Sequence, residues 1–514
     1  MSPSTPLRRE TVSRGTAVLS LIVAAAVALA ACGSDRIASS TSPGAAAAQP
    51  VSTGLASGSS RIDVVNVSDD TTAQNETPLA VNPLNPANMI TGNNDWNWNN
   101  GCGVNVTFDG GRSWTKTLPN GFLPGVTRYT DDPAVAGTGF YDYGGDPAVA
   151  FGPDGTAYFA CFGYQAASPY GVALLVSRST DGGRTWLAGG ASQPLVQAAA
   201  WQGNGITKGS TGQFPDHESM HVANDGTIYM PWAQFNGYGT HSPIYVTTSR
   251  DGGRTFSPAL KVTSGSIRND QDARVVTDPA DGTAYLTFDT GIQGGKGTAM
   301  YVAVSHDHGA SWSAPALIGT FQNPVCLYPP YCFNISGSAF RGPGSYPVPA
   351  FDPTRHRLYV AYTDIVNGLA QVLLTSASSS DIAAWTTPQV VAPSAGDRIN
   401  VEMSIEPGSG RIDMMTNDRS WSRNTLFDVT YLASRDGGAS WTAQRVTQKS
   451  WDPSQYGVPS SSSATGIRPF IGDYDGIVSL PMSAAMTWTG PGRTYGTYPT
   501  NLEVYFGSVQ LSAP

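Results

Sequence analysis

The chain has 514 residues, 58 of them Gly and 37 Pro, with only 13% charged side chains and a formal net charge of −9. That length suits one large repeat domain or two to three ordinary ones, and the turn-rich, weakly charged composition points to an all-β protein. The acidic balance, with no basic run beyond the N-terminus, excludes nucleic acid as an expected partner.

In chain order, Arg8, Arg9 and Arg14 precede an Ala-rich apolar run over residues 17–31 that ends at Cys32. A basic start, a short apolar stretch and small residues at its end make an export signal. Leu29-Ala30-Ala31-Cys32 resembles the bacterial lipobox. The resemblance implies a lipid on Cys32, residues 1–32 as a lipoprotein signal peptide, and anchoring to the outside of a bacterial membrane. An ordinary secretory signal cleaved nearby is the alternative; the run is short for a permanent span. Residues 33–60 carry almost no large apolar side chains and read as a flexible Ser/Ala/Gly/Pro tether. The rest, 61–514, is expected to be a single domain and a monomer.

Within that domain a short stretch recurs: TFDGGRSW (107–114), STDGGRTW (179–186), SRDGGRTF (249–256), SHDHGASW (305–312) and SRDGGASW (434–441), with a worn copy, SSSDIAAW, at 378–385. A second repeat precedes each copy: two alternating runs joined by an Asp/Pro-Gly turn, as in DPAVAFGPDGTAYFACFG (146–163). Seven such hairpins can be counted, the last at 467–488. A third strand leads into each Asp turn and a fourth follows it, and four strands per repeat is a propeller blade. Seven blades are expected, with six as the alternative because clear Asp turns number five plus the worn copy. The lone strand RIDVVNVS (61–68) is expected to complete the last blade, closing the ring without an exposed edge. After Cys32 four cysteines remain, an even count that favours disulfides in an exported protein. Cys326 and Cys332 flank LYPPY as a local staple, which leaves Cys102 and Cys161 to join neighbouring repeats.

Asp109, Asp181, Asp251, Asp307 and Asp436 read as structural. Each carboxylate can accept N–H groups of its own turn, the glycines allow positive φ, and the closing aromatic packs between strands. This turn resembles the Asp box, or BNR repeat, of the sialidase-type β-propellers. The resemblance covers nearly all of 61–514 and implies the propeller fold more than a function, because the box also occurs in non-enzymatic propellers.

The face opposite the Asp turns collects the starts of first strands and the ends of second strands. Glu76, Asp146, Asp216, Glu218, Asp272, Arg274 and Glu402 fall at the starts. Asp95, Trp96 and Trp98, in the loop NNDWNWNNG (93–101), fall at an end. Carboxylates mixed with aromatics suit carbohydrate. Capping of the central channel, or a structural Ca²⁺ on the acids, is the competing reading; no cofactor is required.

IRPFIGDYDG (467–476) departs from the repeat and holds Arg468 and Tyr474. By the resemblance, Tyr474 is a candidate nucleophile activated by Glu402 or Glu218, with Asp146 in the catalytic set. Arg274, Arg419 and Arg468 are candidates for a sugar-carboxylate clamp, with Asp95, Trp96 and Trp98 as further substrate contacts. The Arg-Ile-Pro motif expected ahead of the first Asp turn is absent, which puts sialic acid in doubt. His217-Glu218-Ser219-Met220-His221 spells H-E-x-x-H, but Pro215 and the repeat register make it a strand, where i and i+4 cannot share a zinc. Two functions follow: a sialidase-like extracytoplasmic glycoside hydrolase, or a non-catalytic surface propeller binding glycans or proteins.

Overall fold

The computed structural model describes residues 51–52, 62–69, 72–96, 101–117, 143–164, 171–186, 196–202, 213–236, 242–263, 267, 269–290, 298–322, 335, 340–341, 345–460, 466–492 and 501–511. The signal peptide with Cys32, most of the tether, Trp98, Cys326 and Cys332 lie outside the described residues.

Seven sheets, each with at least four antiparallel strands, follow one another along the chain, and the sixth also takes Val51–Ser52 as a parallel strand against Trp441–Arg445. Blades 1 to 6 span residues 74–116, 143–202, 213–261, 270–321, 348–390 and 398–445. Blade 7 is made of Gly476–Leu480, Ser483–Pro491 and Leu502–Gln510, and its outermost strand is Ile62–Asn66. The closing strand pairs Ile62 with Val509 and Asn66 with Tyr505. The seven-blade ring and its N-terminal closure therefore agree with the expectation, and the six-blade alternative falls.

No blade has a core of its own. Each buries its faces against its neighbours, and a buried cluster sits at every junction from blades 1 and 2 round to blades 7 and 1. Ile90, Val106, Phe159 and Trp186 fill the first junction, and Leu79, Met89, Ala485 and Phe506 the last.

The Asp turns are built from local hydrogen bonds. Thr185 N–H and the Ser179 hydroxyl donate to Asp181 Oδ1 at 2.9 and 2.6 Å, and the Thr185 hydroxyl donates to Oδ2 at 2.6 Å. Gly183 has φ 96°, and its N–H reaches the Ser179 oxygen at 2.8 Å. Asp109, Asp251, Asp307 and Asp436 repeat the pattern. The Ser311 hydroxyl and N–H, together with Ser305, hold the Asp307 carboxyl down to about 2.

Cys102, on the third strand of blade 1, and Cys161, on the second strand of blade 2, form a disulfide. It joins neighbouring repeats as expected. The 59-residue separation corresponds to about 4 kcal/mol of lost unfolded-chain entropy. The double variant Cys102→Ser/Cys161→Ser is therefore expected to lower the urea midpoint markedly, with a larger m-value because the uncrosslinked chain exposes more surface on unfolding. An unchanged midpoint in equilibrium unfolding would count against that contribution.

Candidate active site

The innermost strand of each blade runs down the ring axis, and in five blades it breaks at the same height. Glu76, Asp146, His217, Asp272 and Asn400 have φ of 60°, 55°, 56°, 58° and 54°. In blades 2, 4 and 6 the register jumps across the break, from Gly145 to Ala148, Gln271 to Arg274 and Ile399 to Glu402. A bulge re-aims the side chain at a strand end. Left-handed backbone at a residue other than glycine costs on the order of 1–3 kcal/mol and gathers at functional sites. The strain thus marks one axial end of the ring as the place where polar side chains are held inward.

Below the breaks lies a cavity of about 200 Å³. Its polar wall is His217, Glu218, Arg274, Glu402, Tyr474 and Asp475; Leu79, Val149, Val276 and Ile477 are among its apolar residues.

Three cations at this end each hold a carboxylate. Arg274 grips Glu402 through two bonds of 2.6 and 2.8 Å, linking blade 4 to blade 6. Arg341 donates to Asp473 at 2.7 Å and stacks on Phe470 at 3.8 Å. His217 pairs through Nδ1 with Asp272, while its backbone N–H donates to Asp146 at 2.8 Å. Burial disfavours charge on the His217 ring, but Asp272, Asp473 and Asp146 outweigh it and push the imidazole up to about 10. His217 is therefore an imidazolium at neutral pH.

Other acids here have no cation of their own. Glu218 is 3% exposed, and neither carboxyl oxygen has a hydrogen-bond partner. Burial, with Asp146 and Asp216 nearby, pushes its carboxyl well above the usual range, toward the protonated form. Burial and Asp146 likewise raise Glu76, which accepts from Asn94. Burial raises Asp475 to about 8 although Asn400, Thr77 and the Thr489 N–H donate to it.

Tyr474 is buried against His217, with ring centroids 5.1 Å apart, and its hydroxyl donates to the Pro147 carbonyl at 3.0 Å. Burial raises its pKa, and the surrounding Glu76, Asp146, Glu218 and Asp473 raise it further. The axial end thus gathers Tyr474, Glu402, Glu218, Asp146 and Arg274.

The other expected substrate contacts have partners of their own. Arg419 is buried, bonded to Asp397 at 3.1 Å and facing Phe427. Arg468 lies 6.0 Å from the Trp96 ring centre and 5.8 Å from that of Phe470. Asp95 accepts from Thr72 at 2.8 Å and meets Lys116 at 3.5 Å. The Trp96 indole N–H donates to Asn75 at 2.8 Å. The three arginines therefore do not converge on one point through their contacts.

The H-E-x-x-H stretch is not helical: His217 sits at the break, and His221 begins the short strand His221–Val222. His221 bonds Thr277 at 2.9 Å, and burial drops its pKa to about 4. Among the described residues no three His, Cys, Asp or Glu side chains converge as a metal-ligand set.

Sequence reasoning passed over His217, Asn400 and Arg341 as site residues. Aligning the repeats on their breaks, with His217 opposite Asp146 and Asn400 opposite Asp272, would have found the first two. Arg341 lies between blades 4 and 5, where no repeat points to it.

No family model and no curated protein matches the chain. Among solved structures it is similar to a polysaccharide lyase, the PL25 ulvan lyase, at 13% identity and a TM-score of 0.48, over 86% of this chain and 95% of that one. It is similar to the α-L-arabinanase of Penicillium chrysogenum at 13% identity and a TM-score of 0.40, over 70% and 92%. It is similar to the Trypanosoma rangeli sialidase at 10% identity and a TM-score of 0.40, over 87% and 58%.

Proposed function

We propose that this protein is an extracytoplasmic glycoside hydrolase of sialidase-like architecture, acting on glycans at its axial cavity. One observation carries the reading. A buried carboxyl that its surroundings push toward the protonated form, Glu218, and an Arg-held one, Glu402, line the same cavity. Glycoside hydrolysis needs that division of labour between two carboxyl groups. At about 200 Å³ the space is smaller than the ~300–1,000 Å³ of a drug-sized pocket, and it suits a single sugar unit.

In this reading Glu218 gives its proton to the glycosidic oxygen as the bond to the anomeric carbon breaks. Glu402, oriented by Arg274, supports the positive charge that develops on the sugar. Water supplies the new oxygen, and its proton restores Glu218. No cofactor takes part. Tyr474 is the competing nucleophile, of the sialidase type. The lipid anchor on Cys32 and the tether would hold the ring outside the membrane, with a glycan or cell-surface polymer as partner.

The test is a hydrolysis screen on residues 61–514 with 4-methylumbelliferyl glycosides of neutral sugars, the glucuronide and the N-acetylneuraminide. Release from any of them supports the hydrolase. Retention of that release in Tyr474→Phe assigns the chemistry to the carboxyl pair. Silence from folded protein would instead favour a propeller that only binds.

A further inference from the structure

The cavity wall carries a donor that the hydrolytic chemistry above does not use. His217 lines the cavity and is 8% exposed. Asp272 takes its Nδ1, and Tyr346 and Tyr474 fix its plane, each with a ring centroid 5.1 Å away. Its other ring nitrogen, Nε2, is buried without a hydrogen-bond partner. A buried donor left without an acceptor costs free energy that a ligand's oxygen recovers on binding.

The charges around it restrict what that oxygen belongs to. The cations at or beside the cavity, Arg274, Arg341 and His217, are matched by Glu402, Asp473 and Asp272, and Arg468 lies off the cavity wall, against the Trp96 and Phe470 rings. Glu76, Asp146, Asp216, Glu218 and Asp475 add only neutral or negative charge. An anionic sugar would therefore lose its hydration without meeting a cation in surplus.

We propose that His217 is the residue that reads the substrate, donating from Nε2 to a hydroxyl or ring oxygen of a neutral sugar, and that the matched charges of the cavity discriminate against uronic and sialic acids. This rests on the glycoside reading but makes its own demand on binding.

Two variants separate the donor from the fold. His217→Asn tolerates the left-handed backbone and keeps an N–H for Asp272, but removes Nε2. His217→Gln can return an amide donor near the Nε2 position. Binding of neutral methyl glycosides, methyl glucuronide and methyl N-acetylneuraminide is measured by saturation-transfer NMR, alongside KM and kcat on the fluorogenic panel.

Neutral sugars are expected to bind and acidic ones to fail. In His217→Asn the KM for the neutral glycoside should rise about ten- to hundredfold, the loss of one hydrogen bond from a charged donor, with partial recovery in His217→Gln. Preferential binding of the glucuronide or sialoside, or an unchanged KM in His217→Asn, overturns the inference and leaves the hydrolase standing. Neutral-sugar binding that His217→Asn abolishes, without turnover in any protein, supports the inference and removes the hydrolase. Binding of no sugar at all overturns both.

Discussion

Glu218→Gln is expected to lower kcat by about 10²–10⁴-fold, the range for loss of a general acid, with little change in the melting temperature. The amide keeps the shape of the carboxyl, whose oxygens are bonded by no side-chain donor. The pH profile supplies the sign. An ordinary Glu has its proton off above about pH 4.3, whereas burial with Asp146 and Asp216 keeps Glu218 protonated well above that. Activity should therefore persist above the ordinary Glu range and fall as pH rises through the elevated pKa. A profile that already falls between pH 4 and 5, with circular dichroism unchanged, would contradict the assignment. Glu402→Gln should also inactivate, and it additionally leaves the Arg274 guanidinium without its carboxylate, so it is expected to cost stability where Glu218→Gln does not.

The second large effect concerns the ring. Deleting residues 1–69 should lower the urea midpoint sharply and cause association, whereas deleting 1–60 should change both far less. Ile62–Asn66 supplies the outer strand of blade 7 along five register pairs. Its Ile62 and Val64 side chains pack on the cluster between blades 6 and 7. Those two half-buried side chains contribute on the order of 1–2 kcal/mol each. Removing the strand also strips the partner from Leu502–Gln510, which becomes an open sheet edge prone to association. Against a total stability of about 5–15 kcal/mol the combined loss is a large fraction. Urea unfolding with size-exclusion chromatography reads it. Equal midpoints and a monomeric peak for both truncations would show that the ring does not depend on this closure.

Much of the fold was legible because it is coded locally. The Asp181 turn closes with bonds between residues 179 and 185, so its spelling survives wherever the turn does. The strand at 61–68 was legible by subtraction, since blade 7 lacked one. The Cys102–Cys161 bridge followed by elimination, with Cys326 and Cys332 taken as a local pair.

The site was legible only as an unordered set, the acids together with Arg274 and Tyr474. What turns that set into an arrangement is long-range pairing. Arg274 and Glu402 meet across 128 residues, and Arg341 and Asp473 across 132. Nothing in the local spelling joins them. The same pairing separated residues that sequence had grouped: Arg274, Arg419 and Arg468 each found a different partner. His217 was hidden by its neighbours. The motif H-E-x-x-H drew attention to a helical zinc spacing and away from the strand break that places this ring among carboxylates.

The most direct measurement is a crystal structure of the Glu218→Gln protein soaked with the fluorogenic glycoside that the hydrolysis screen identifies. The sugar is expected in the axial cavity, its glycosidic oxygen at residue 218 and its anomeric carbon facing Glu402. Sugar density elsewhere on the propeller, with the axial cavity unchanged, would contradict it.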